Sequence, residues 1–169
     1  MKRHRPTIEP IQPDAFIAGA ALECMTDARL AQLALEQKTS DAVRQFAVRL
    51  IEDCERTLLE ITRVATRKNL PMPSSLDEAH ESVLQSMREK AGPDFDSAYI
   101  QGIVLHHRQA INLFKRGQTI KVPEISALAS RALAMIEARI KISRLPSGNV
   151  DQLLDGPGMA HARPAADLL

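Results

Sequence analysis

Residues 14–68 read DAFIAGAALECMTDARLAQLALEQKTSDAVRQFAVRLIEDCERTLLEITRVATRK, and the periodicity of this stretch decides the fold. From Asp14 to about Lys38, the residues Phe16, Gly19, Ala20, Glu23, Leu30, Leu33 and Ala34 recur at three- and four-residue spacing, which turns one face of a helix toward a core. Thr39-Ser40-Asp41 is a helix-start signal, and after it Val43, Phe46, Ala47, Leu50, Cys54, Leu58, Ile61 and Ala65 form a second stripe. Asn69-Leu70-Pro71 ends that stripe, because proline disfavours helical backbone in the residue before it. So short a spacer makes the two helices antiparallel neighbours.

Downstream, Pro71, Pro73 and Ser74 mark a break. Ser75 and Glu78 form a capping-box pattern that predicts a shorter helix through about Lys90, stopped by Gly92-Pro93. The next helix spans Asp94 to about Arg116, with Tyr99, Ile103, His106, His107, Ala110, Leu113 and Phe114 inward and Arg108, Gln109, Lys115 and Arg116 toward water. Pro123 opens the last helix, whose Ile125, Leu128, Ala132, Met135, Ile136, Arg139 and Ile140 lead to about Arg144. Strand alternation and internal repeats are missing. The expectation is an all-α, ferritin-like four-helix bundle, with the short extra helix between the second and third long helices as a crossover. Residues 1–13 read as an extended N-terminal arm, 14–145 as the bundle, and 146–169 as a flexible Pro/Gly/Ala-rich tail.

Composition narrows the function classes. Lys plus Arg total 22 against 21 for Asp plus Glu, a net charge of +1, so no basic face for nucleic acid is expected. With no Trp, one Tyr and four Phe, platforms for stacking bases are also scarce. Met1-Lys2-Arg3-His4-Arg5 resembles the basic start of a signal peptide, but Pro6, Glu9, Pro10 and Pro13 interrupt any apolar continuation. The expectation as written is therefore a cytoplasmic chain with no transmembrane segment. Two cysteines make no disulfide framework.

Polar residues interrupt the apolar stripes at Glu23, Cys54, His106 with His107, and Arg139. Glu23 precedes the first turn by about as much as Cys54 follows it, so an antiparallel pair sets them level, with Cys24 on the flank. Met135 is the residue level with His107, but Arg139 is long enough to reach back toward it. Three readings compete. In the first, Glu23, Cys54, His107 and Arg139 form a core polar network: Glu23 pairs with Arg139, His107 bonds to Glu23, and no cofactor is needed. In the second, Glu23, Cys54 and His107, with His106 or Cys24, hold a divalent transition metal such as zinc, against which the charge of Arg139 argues. In the third, Cys24 and Cys54 are a redox pair, which requires the close helix approach that Ala20, Ala21 and Ala28 permit. Adjacent His106 and His107 point about 100° apart, so one faces the core and the other its margin. The sequence carries no Gly-rich phosphate loop, nucleophile elbow or Cys-x-x-Cys, and no catalytic residue is assigned.

From Ala15 to Leu145 the chain resembles the bacterial domain-of-unknown-function family numbered 4142. The resemblance rests on Phe16 to Leu35 with Glu23, Phe46-Ala47 to Asp53, the Leu70-Pro71 turn, Phe95-Asp96 with Tyr99, and His107 followed by Leu113-Phe114. It implies a ferritin-like bundle and, loosely, a bacterial stress or envelope role in a family whose members are often exported. The family has histidine where this chain has Cys54 and Arg139, and an acid in place of His106. The resulting expectation is a non-enzymatic structural or interaction module that partners a second copy or another protein, with a metal-binding protein as the alternative.

Overall fold

The computed structural model describes residues 9–92 and 94–142. The expected tail, residues 1–8 of the expected arm and the last helix beyond residue 142 lie outside the described residues. Five helices and no strands are found there: α1 (Pro13–Glu36), α2 (Asp41–Lys68), α3 (Glu78–Arg88), α4 (Phe95–Gly117) and α5 (Pro123–Ile142). The all-α expectation holds.

Local chemistry sets the helix ends. Pro13 sits in the first turn of α1, where its missing N–H costs nothing. The Ser40 hydroxyl accepts from the Val43 N–H at 3.3 Å and opens α2. Asn69 closes α2 in the left-handed region with φ 53°, a conformation that asparagine tolerates better than most residues. The α3 start differs from the expected capping box. Asp77, not Ser75, is its cap and accepts from the His80 N–H at 3.0 Å, so the helix begins at Glu78.

Contacts between helix ends fix the topology. The Ser40 N–H, at the α1–α2 turn, donates to Asp96 at the start of α4 (2.9 Å). At the opposite end, Phe16 of α1 meets Phe114 of α4 edge-on, and Lys68 of α2 pairs with Glu124 of α5 at 2.8 Å. The chain therefore leaves α2 at one end of the bundle and enters α4 at the other. The stretch that carries α3 is the crossover that the sequence predicts, with α3 packed on α1 and α4 along the way.

Phe16, Ile17, Leu30, Ile61, Tyr99, Ile103, Phe114, Ile125 and Leu128 form the apolar centre. Phe95 stacks on Tyr99, and Phe46 meets Tyr99 edge-on. Among the described residues no helix is long and apolar enough to cross a membrane.

Candidate functional site

The stripe on α1 passes through Glu23, Asp27 and Leu30, so two carboxylates one turn apart face the bundle interior. Asp27 is the centre of the site, 5% exposed. His107 of α4 donates from Nε2 to Asp27 Oδ2 at 2.8 Å, which leaves the proton off Nδ1 in the neutral ring. Arg139 of α5 brings one guanidinium nitrogen to 3.7 Å from the same oxygen and another to 3.1 Å from Asp53 of α2. The Cys54 thiol points at Asp27 Oδ2 from 4.0 Å. One buried carboxylate is thus reached from α2, α4 and α5.

The second half of the site lies toward α3. His106 Nε2 is 2.9 Å from Glu23 Oε2 and 3.4 Å from Asp27 Oδ1. Neither contact has hydrogen-bond geometry in this rotamer, so Glu23 Oε2, Asp27 Oδ1 and His106 Nε2 meet as ion-pair contacts of the charged ring. His80 of α3 comes to 3.6 Å from Glu23 Oε1 through Nε2, while its Nδ1 lies 2.5 Å from Asp77.

These arrangements set the protonation preferences. Burial alone pushes the Asp27 carboxyl up, but His107, His106 and Arg139 outweigh it and hold it below its ordinary 3.8. For His106, burial favours the neutral ring, yet Glu23 and Asp27 prevail and raise it above 6.5. The Cys54 thiol is pushed far up by its contact with the Cys24 thiol, by burial and by the Asp27 charge, so it stays protonated.

Several expected pairings therefore change partner. Arg139 goes to Asp27 and Asp53, and His107 goes to Asp27, where the sequence suggested Glu23 for both. Glu23 instead meets His106 and His80. Cys54 is a protonated neighbour of Asp27, so Glu23, Cys54 and His107 are not three donors around one point. Cys24 and Cys54 do lie side by side, as free thiols. Asp27, Asp53 and His80 were missed. The gap in the first stripe between Glu23 and Leu30 was the available signal for Asp27. Nothing local marks His80, which only the crossover brings to the core.

The cavity bordered by Asp27, Cys24, Cys54, His107 and Arg139 measures about 20 Å³, room for one water. An open groove of about 530 Å³ lies at the bundle end between the α1–α2 turn and the start of α4, and none of the cluster's side chains lines it. A ferritin-type di-iron centre does not fit this core. It needs a Glu-x-x-His pair on each of two helices, whereas α2 and α5 contribute Cys54 and Arg139. Among the described residues no group of three or more His, Cys, Asp or Glu side chains is placed to hold a metal ion.

Helix order and crossover topology define the fold class, a ferritin-like four-helix bundle. Within it, the chain belongs to the family described as domain of unknown function (DUF4142), which it matches over residues 3–143. It is also similar in fold to the crystal structure of a DUF305 fragment from Deinococcus radiodurans, with a TM-score of 0.70 at 15% identity over 85% of this chain and 99% of that one. No curated protein matches it.

Proposed function

We propose that the protein is a non-enzymatic bundle that acts as a structural or interaction module, with the Asp27 network holding its helices in register. The observation that carries this reading is the convergence of His107, Arg139 and Cys54 on Asp27 Oδ2, which commits polar groups from all four long helices to one another. The water-sized cavity beside them leaves no space for an organic substrate. With these groups used internally, contacts with a partner fall to the outer helix faces.

Arg139→Leu tests the network. It removes the cation from two partly or fully buried carboxylates and is expected to destabilise the bundle by about 3 kcal/mol, read from urea unfolding followed by circular dichroism. An unchanged midpoint would show that the network does not hold the helices.

A further inference from the structure

The Asp27 network leaves the Glu23–His106–His80 side of the cluster unexplained. Three buried or half-buried atoms there, Glu23 Oε2, Asp27 Oδ1 and His106 Nε2, converge without hydrogen bonds, and the His106 side chain is only 5% exposed. Orphaned buried acceptors are costly, and two carboxylate oxygens beside an imidazole nitrogen are lone-pair donors that a cation satisfies together. We propose that Glu23, His80 and His106, with Asp27 as fourth donor, bind one divalent transition ion of the zinc type.

The donor spacing suits such an ion. At metal–ligand lengths near 2.0–2.1 Å, donors around a tetrahedral ion stand about 3.3 Å apart. His106 Nε2 lies 2.9 Å from Glu23 Oε2 and 3.4 Å from Asp27 Oδ1, and His80 Nε2 lies 3.6 Å from the other Glu23 oxygen, Oε1, with the two imidazole rings 6.4 Å apart. The set is near this arrangement without enclosing a common point. Closing it requires the Glu23 carboxylate and the His80 ring, whose side chain is 18% exposed, to move toward each other.

His80 also has the support typical of a metal-bound histidine. Asp77 Oδ1 is 2.5 Å from His80 Nδ1, and a proton held there leaves the Nε2 lone pair directed at Glu23. The same Asp77 caps α3, so one residue sets both the helix start and the ring orientation. Arg139 is directed to the other oxygen of Asp27 and to Asp53, where its charge is offset. Two imidazoles with carboxylates favour zinc, cobalt, nickel or copper over magnesium or calcium. The ion would fasten α3, the crossover helix, to α1 and α4.

The test is calorimetric titration of Zn²⁺ into the chelator-treated, reduced full-length chain, with Mg²⁺ as control and Co²⁺ absorption as the report on geometry. The proposal expects one tight Zn²⁺ per chain, no Mg²⁺ binding, and a Co²⁺ spectrum with low-coordinate visible bands. His80→Ala should weaken Zn²⁺ about tenfold or more and abolish the Co²⁺ bands, while circular dichroism of the metal-free variant checks that its helices are retained. Cys54→Ala should keep the wild-type affinity. Absence of Zn²⁺ binding at 100-micromolar levels would overturn the proposal. So would equal affinity in wild type and His80→Ala, which would place the ion on other residues such as His4 or His161.

Discussion

Asp27 and His106 respond to pH in opposite directions, and together they shape the stability of the metal-free protein. The Asp27 carboxyl is held below 3.8, so its stabilising contribution is present above that value and is lost as pH falls through the lower folded-state value. His106 is raised above 6.5, so its contribution is complete below 6.5 and is lost as pH rises through the higher folded-state value. Stability should therefore be greatest between roughly pH 4 and 6.5 and decline on both sides. Thermal melts across pH in chelator check this, and His106→Gln should remove the alkaline decline. A melting temperature that still rises above pH 8 in wild type would contradict the assignment. Asp27 was legible only as a gap in an apolar stripe. Its role depends on cations from two other helices, and neither pairing has a local sequence signature.

Among the elements, α4 shows how a helix end is fitted to its neighbour. A Cβ on Gly117 would overlap the Phe16 ring, which is fully buried and also packs edge-on against Phe114. A ring with no free side cannot move away cheaply. Gly117→Ala should destabilise by about 1–3 kcal/mol in denaturant unfolding, even though alanine favours helix over glycine. A stabilising outcome would mean that the α1–α4 contact opens at that end. The α3 helix shows the limit of local reading. Ser75 and Glu78 have capping-box spacing, yet Asp77 takes the cap because its side chain meets both the His80 N–H and the His80 ring.

For the whole molecule, the crossover places α1 beside both α2 and α4, and α5 beside both α2 and α4. That closed square leaves scattered apolar residues outside, with Val48 and Leu59 on α2 and Leu105 on α4 more than 40% exposed. If the module works through a second copy, sedimentation velocity should show a dimer as concentration rises to tens of micromolar. A monomer throughout would leave a different protein as the partner class. The Val43–Ala65 stripe and the Ser40 and Asn69 ends read correctly because helix periodicity and capping are local properties, whereas His106 and His107 are both buried where one was expected at the core margin.

Helix number, the order of the long helices and the identity of most core residues are determined by the sequence, since each follows from spacing within about four turns of one helix. Tertiary structure decided which polar groups meet. Side chains lean toward the N-terminus of their own helix, so on antiparallel neighbours they lean in opposite directions. This displacement brings Cys54 level with Asp27 rather than Glu23, and lets Arg139 reach the oxygen that His107 already holds. His80 joins the cluster only because the crossover carries α3 across α1 and α4, a long-range consequence of topology that no local pattern encodes.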